Sequence, residues 1–343
     1  MKKFSFVIPA YNCEKVIERC ITSLVNQGLQ DYEIVVVNDG SKDNTLEVLK
    51  NFAQKNSNIK VIDVVNGGPS RARNIGLSHA TGEYVLMIDS DDYLNDNTCI
   101  TRYVSMMEDE GLDLVVFGCR DVFLKDGEII KENLSEIQDA VYYTRKTFFD
   151  NIGNHLLQQI MYSASNKIYK MQYIKQRNIE FQVDIAIEED FRFNLAYFPL
   201  VNKCRFVEES PYSYIHEVGN NSLSQKYVPD VQEISKATYD KLIEVLNLEG
   251  AYQGINKKQV DTYFVKRISG WINSLYTNSC TLDKRGKISF IQSAMKDEVV
   301  RKRIDNFIAS SKKDLILYVL IKYKMATLCY WVYEIINKKR YRK

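Results

Sequence analysis

Five short runs of β-branched and aromatic residues, Phe4 to Ile8, Glu33 to Val37, Asn58 to Val64, Tyr84 to Ile88 and Asp113 to Phe117, alternate with helically patterned segments in the first 120 residues. In the first connection Val16, Ile17, Cys20, Ile21, Leu24 and Val25 recur at helical spacing until Gly28. In the third, Pro69 opens a helix that closes at Thr81-Gly82. Such a β-α-β-α succession buries its strands on both faces, and it predicts an α/β fold with a doubly wound, mixed but mostly parallel sheet flanked by helices. Ligands of that architecture gather at the carboxyl ends of the strands, so the strand-to-helix loops are where chemistry is expected.

Beyond residue 120 the pattern loosens into a polar hairpin around Lys125-Asp126-Gly127, then helical segments near 144–160 and 166–177. After Pro229 the chain reads as helices near 230–247, 257–278 and 284–308. The expected division is an α/β domain over 1–228, in two parts of about 1–120 and 121–228, a helical domain over 229–311, and a terminal segment over 312–343. With 45% hydrophobic and 26% charged residues the composition is that of a folded globular protein. The net charge of +2 hides an asymmetry: residues 312–343 hold nine Lys or Arg against Asp314 and Glu334. Basic character is therefore local to one end, and no nucleic-acid partner is expected. Seven scattered cysteines without a C-x-x-C pair read as reduced thiols in a cytosolic compartment, and the apolar run after Met-Lys-Lys is too short for a signal-peptide core. Nothing in the sequence specifies an oligomeric state.

The first strand runs into Pro9-Ala10-Tyr11-Asn12, where a dinucleotide-binding fold would carry G-x-G-x-x-G. Tyr11 just outside the sheet edge suits a flat base stacking on it, or simply packs the loop. The second strand ends in Asn38-Asp39-Gly40-Ser41, with Asp43 at a helix start as a capping residue. Asp39 can accept a hydrogen bond from a base N–H such as the imide of uracil, or be a turn aspartate held by backbone. In the third unit, Asn66-Gly67-Gly68-Pro69-Ser70-Arg71-Ala72-Arg73 combines a glycine pair, a helix N-terminus and two arginines, a setting that favours anions. No Lys-Ser/Thr follows, so it is not a Walker loop.

The fourth strand delivers Asp89-Ser90-Asp91-Asp92, three carboxylates in four residues. Their repulsion amounts to several kcal/mol at moderate dielectric, so a compensating cation, solvent or a helix N-terminus is required. Mg²⁺ or Mn²⁺ held by one or two carboxylates fits best, with positions left for diphosphate oxygens; solvated acids at a capped helix start are the plainer alternative. Further on, Ile187-Glu188-Glu189-Asp190-Phe191 opens another helix, and Asp190 or Glu189 is the candidate general base because histidine is scarce. His216 precedes a polar loop with Asn220, Asn221, Ser222 and Ser224 that could close over a ligand. It reads either as a third metal ligand or as a hydrogen-bonded histidine.

Taken in order, Pro9-Ala10-Tyr11-Asn12, Asn38-Asp39-Gly40-Ser41, Ala72-Arg73-Asn74-Ile75-Gly76, Asp89-Ser90-Asp91-Asp92 and Glu189-Asp190, with Asn166-Lys167-Ile168-Tyr169, resemble glycosyltransferase family 2 with the GT-A fold, from Phe4 to about Ser224. The resemblance implies a nucleotide diphosphate sugar donor, expected to be UDP-linked, held by Pro9, Ala10, Tyr11, Asn12, Asp39, Gly68, Arg73, Asp89, Ser90 and Asp91. It implies a divalent metal on Asp89 and Asp91 and Asp190 as the base of an inverting transfer, while His216 stays open between a third metal ligand and a hydrogen-bonded histidine. Residues 1–120 would then serve the donor and 121–228 the acceptor. Asp92 falls outside the metal motif and is expected to cap the next helix. One departure is Glu188, where the family often has glycine before Glu-Asp. A sugar-phosphate nucleotidyltransferase lacks support because its early glycine-rich loop is missing, and the intact acids argue against a non-catalytic scaffold.

In residues 315–336 the apolar blocks Leu315 to Ile321 and Met325 to Tyr333 are broken by Lys322 and Lys324, and neither reaches spanning length. Tyr318, Tyr323, Tyr330, Trp331 and Tyr333 with flanking lysines suit a helix lying in the headgroup region, or one packed on the protein. The membrane reading, through residues 312–343, implies a protein peripheral on the inner face of the cell membrane and a glycan or polyprenyl-linked saccharide acceptor, as in surface polysaccharide assembly.

Overall fold

The computed structural model describes residues 3–217 and 227–341. The N-terminal elements are β1 (Phe4–Ala10), α1 (Ile17–Val25), β2 (Tyr32–Asp39), α2 (Thr45–Lys55), β3 (Ile59–Val64), α3 (Pro69–His79), β4 (Tyr84–Met87), β5 (Tyr93–Leu94) and α4 (Cys99–Asp109). They are followed by β6 (Leu114–Lys125), β7 (Glu128–Leu134), β8 (Ala140–Tyr142), α5 (Arg145–Leu157), β9 (Lys167–Lys170), α6 (Met171–Arg177), α7 (Glu189–Tyr197) and β10 (Cys204–Glu217). The helical remainder comprises α8 (Val231–Leu248), α9 (Gly254–Ser274), α10 (Lys284–Lys296), α11 (Glu298–Arg303), α12 (Lys312–Lys322) and α13 (Ala326–Tyr341).

The sheet has the order β3-β2-β1-β4-β9-β6-β10-β5, and the run β3-β2-β1-β4 is parallel. All of β1 is buried, as a strand covered on both faces requires. Ile17, Cys20, Ile21 and Leu24 of α1 enter the same core, and a fully buried aliphatic side chain of this kind contributes roughly 1.5–3 kcal/mol. Helix α3 lies close on β1 because position 76 is glycine: a Cβ there would collide with Val7. The expected hairpin forms between β6 and β7, with Asp126 and Gly127 at φ of 52° and 83°, the left-handed pair that a tight turn needs.

Residues 166–177 depart from the helical expectation. Lys167–Lys170 instead forms β9, antiparallel to both β4 and β6, before the chain turns into α6. Similarly, the expected helix over 284–308 breaks at Asp297, whose carboxylate caps the amide of Val299 and starts α11.

The chain divides into two compact units. One contains the sheet and runs through Phe148, then Gln158–Ile185, then from Glu189 through β10. The other contains Phe149–Leu157, Ala186–Glu188 and the helices from α8 onward. Within this second unit α12 and α13 pack on the preceding helices. Leu317, Leu320, Ile321, Cys329, Tyr330 and Tyr333 are buried, Tyr333 donates to Ser269 at 2.8 Å, and Tyr276 donates to the carbonyl of Tyr330 at 2.8 Å. Among the described residues no helix is long and apolar enough to cross a membrane.

Candidate active site

The loops after β1, β2, β3 and β4 meet at the carboxyl edge of the sheet. Pro9 and Ala10 finish β1 in register with Val37 and Asn38, and they leave Tyr11 46% exposed at the rim. Asn12, at φ 47°, accepts from the amide of Lys42 at 2.8 Å and gives its own amide to Ser41 at 3.0 Å. The first two loops are thereby tied together. Asp43 accepts from the amide and the hydroxyl of Thr45 at 3.0 and 2.6 Å in a local turn; the N-cap position of α2 is Asn44, so Asp43 does not cap the helix as expected.

Asp39 is engaged by neither its own turn nor a free edge alone. Its two carboxylate oxygens accept from the amides of Gly67 and Gly68, both at 2.8 Å, and Asn66 adds a contact to one of them at 3.2 Å. Gly68 sits at φ 88° immediately before α3, a conformation that excludes most side chains. The glycine amides expected to meet an anion therefore already hold one, supplied by the protein.

One turn into α3, Arg73 is buried rather than exposed. Its guanidinium lies over the Phe181 ring at 5.3 Å and faces three carboxylates: Asp89 at 2.6 Å, Asp190 at 3.5 Å and Glu189 at 3.9 Å. Burial pulls the Arg73 pKa down, but Asp89, Asp190 and Glu189 outweigh it and hold the group above its ordinary value, firmly charged. Residues 16 and 117 positions apart in sequence are thus joined by one cation.

Along the loop after β4, Asp89 faces Arg73, Ser90 is half-buried and Asp91 is exposed. The protein wall and then Asp89 raise the pKa of Asp91, while Arg19 anchors its carbonyl at 2.7 Å. Asp92 does not cap a helix; α4 begins only at Cys99. It is fully buried, accepting from the Tyr212 hydroxyl at 2.5 Å and the Ile215 amide at 2.8 Å, and so braces the loop against β10. Burial, then Asp91 and Asp89, push its pKa well up.

Asp190 begins α7. Its Oδ2 accepts from the Ala164 amide at 2.9 Å, whereas Oδ1 is buried with no hydrogen-bond partner among the described residues. Burial raises its pKa against the pull of Arg73. Glu189 is also raised, by burial and then by Asp190. The segment carrying Ala164 is pinned from beneath. Lys167 donates to the carbonyls of Ile160 and Ser163 and to Asn166 Oδ1, and Asn194 donates to the carbonyls of Met161, Tyr162 and Ser163. Full burial pulls the Lys167 pKa down to about 7. Its role, like that of Asn194, was not assigned from sequence, where Lys167 stood out only within the segment Asn166-Lys167-Ile168-Tyr169.

His216 bonds through Nε2 to Asp121 at 2.7 Å and stacks on Phe123 with ring centroids 4.5 Å apart. Among the described residues no three of His, Cys, Asp and Glu converge as a metal-binding group, so the expected trio of Asp89, Asp91 and His216 is not assembled. Two carboxylates nonetheless fit Mg²⁺ or Mn²⁺, which take one or two from protein and complete their shell with water and phosphate oxygens. The loop with Asn220, Asn221, Ser222 and Ser224 lies outside the described residues.

With this geometry in hand, residues 5–177, just over half of the chain, match the model of glycosyl transferase family 2. The chain belongs to that family. Among its relatives is the uncharacterized glycosyltransferase EpsJ of Bacillus subtilis, 29% identical over 80% of this chain and 78% of EpsJ. Another is the poly(ribitol-phosphate) beta-N-acetylglucosaminyltransferase TarS of Staphylococcus aureus, 28% identical over 78% of this chain but only 44% of TarS. The crystal structure of S. aureus TarS 1–349 in complex with UDP-GlcNAc superposes with a TM-score of 0.69 at 23% identity, covering 98% of this chain and 92% of that one. A mannosyltransferase from Pyrobaculum calidifontis, in complex with GDP-Man and Mn²⁺, gives a TM-score of 0.52 at 14% identity over 95% and 86% of the two chains. The fold is therefore GT-A with a helical C-terminal region, and the protein is a glycosyltransferase.

Proposed function

We propose that this glycosyltransferase moves a sugar from a UDP-linked donor to a hydroxyl of a glycan or lipid-linked saccharide, with inversion, in the assembly of a cell-surface polymer. The observation that carries the reading is the buried Arg73 bridging Asp89 of the donor loop to Asp190, whose Oδ1 faces Arg73 at 3.5 Å and accepts no hydrogen bond among the described residues. In this reading the acceptor hydroxyl gives its proton to Asp190 Oδ1, and the oxygen's electron pair forms the new bond at the anomeric carbon. The bond to the diphosphate breaks, and its pair leaves on the departing oxygen. Asp190 must be ionised to act, and Arg73 favours that form against burial. Mn²⁺ or Mg²⁺ on Asp91 and Asp89 would supply Lewis-acid stabilisation of the leaving diphosphate. Tyr11 offers an exposed ring for the base and Asp39 a carboxylate with unused lone pairs for its imide. Support for the donor comes from the UDP-GlcNAc complex of the TarS fragment, and for the metal from the Mn²⁺ complex of the archaeal mannosyltransferase. Support for a surface-polymer acceptor comes from the names of the poly(ribitol-phosphate) relatives.

The reading extends to a location on the inner face of the membrane. Leu315, Ile316, Val319, Leu328, Trp331 and Ile335 remain 37% to 55% exposed on α12 and α13, beside exposed Lys312, Lys313, Lys324 and Lys338. An apolar face rimmed by lysines suits insertion among anionic headgroups. The enzymatic reading is tested by incubating purified protein with a panel of nucleotide sugars and Mn²⁺. Slow release of free sugar and UDP is expected, whereas pyrophosphate-dependent exchange would indicate nucleotidyl transfer and no turnover of any donor a binding scaffold.

A further inference from the structure

The residue just before the Glu189-Asp190 pair is conformationally costly. Glu188 adopts φ 65°, the left-handed region in which a glycine is at ease and a residue with a Cβ is strained. This chain places a glutamate there and buries it to 4% exposure. A buried carboxylate on a strained backbone persists only where its surroundings over-determine it. Here they do: Oε1 accepts from Ser235 Oγ of α8 at 2.6 Å and from Arg267 Nη2 of α9 at 3.1 Å. Ser235 is in turn fixed by the Trp271 indole at 3.1 Å, and both are almost wholly buried.

Glu188 belongs to the helical unit, and one peptide bond later the chain is α7 of the sheet-bearing unit. We propose that Glu188 is a positioning residue: its carboxylate, clamped by Ser235 and Arg267, holds the left-handed turn that launches α7 and so aims Asp190 at the Ala164 amide. A glycine would permit the same turn but could not lock it, so the side chain supplies what a permissive residue lacks. The catalytic consequence rests on the reading of Asp190 as the base; the positional one does not.

The test therefore has two readouts. Amide exchange across residues 160–165 reports whether Asp190 still holds Ala164, with or without turnover. Glu188→Ala is expected to speed that exchange and to lower kcat about 10- to 100-fold while UDP affinity and donor KM stay within about 2-fold. Glu188→Gln, which still accepts from both partners, should restore most of kcat, and Glu188→Gly should not. Should Glu188→Ala fail to fold, Ser235→Ala decides in its place, with the same signs and a smaller effect. Unchanged exchange in the folded variant, or full activity of Glu188→Gly, overturns the proposal. Faster exchange together with near-normal turnover of Asp190→Asn would keep the positioning role and remove Asp190 as base.

Discussion

Replacing Arg73 by methionine keeps the bulk of the side chain and removes the cation that faces Asp89, Asp190 and Glu189 at 2.6, 3.5 and 3.9 Å. At an effective dielectric of about 20, each of these pairs is worth roughly 4–6 kcal/mol of gross attraction. Most of that is offset by the cost of burying the guanidinium, yet breaking a buried pair leaves its carboxylates uncompensated, at a net cost of about 3–5 kcal/mol. The cost depends on pH with a definite sign. Without Arg73 the pKa values of Asp190 and Glu189, already raised by burial, rise further in the folded state. The folded variant then binds protons that the unfolded chain does not, so it regains stability as pH falls and loses most above neutrality. Urea unfolding in the presence of a chelator measures this directly. A drop in midpoint on the order of 1–2 M is expected at pH 8, shrinking toward pH 5.5. An unchanged midpoint at pH 8, or a larger loss at pH 5.5 than at pH 8, would refute the assignment of Arg73 as the charge that makes this carboxylate cluster tolerable.

Asp91→Asn should abolish the Mn²⁺-dependent part of UDP binding by calorimetry while leaving the metal-free part; unaltered affinity with Mn²⁺ would remove Asp91 as a ligand. Asp190→Asn should keep donor affinity and lower turnover by about 10² to 10⁴. In the parent enzyme kcat should fall as pH drops through a value above the ordinary carboxylate range, because burial raises the Asp190 pKa, and that limb should vanish in the variant. Ile316→Glu with Leu328→Glu and Trp331→Glu, all exposed, should release the protein from anionic liposomes with little change in melting temperature. Deleting the segment from Lys312 would be a poorer test, since it strips Leu320, Ile321 and Tyr333 from the core of the helical unit.

The parallel run of the sheet was legible because strands buried on both faces leave nearly continuous apolar runs, and each loop motif follows such a run. Strand β9 was not, because Ile168, Met171 and Ile174 also satisfy a helical period and only pairing with β4 and β6 decides between the two. The acids of the site could be picked out singly, since carboxylates at strand ends need an explanation wherever they occur. Their connections could not. Arg73 and Asp190 are 117 residues apart, and Asp92 finds Tyr212 across 120 positions. Glu188 showed only as a departure from a common glycine, and its positive φ and buried partners emerge from the three-dimensional arrangement alone.

The two short bonds from Gly67 and Gly68 to Asp39 have a bearing on how a diphosphate can be received. The positive pole at the head of α3 is already matched by an internal anion, and Arg73 is shared among three more. On the proposed function, a pyrophosphate approaching this rim finds the Gly67 and Gly68 amides and Arg73 already engaged by carboxylates, so these groups favour one that arrives with its own counter-charge. On that reading the accompanying ion strengthens nucleotide binding, and an empty donor pocket holds stray phosphates less well.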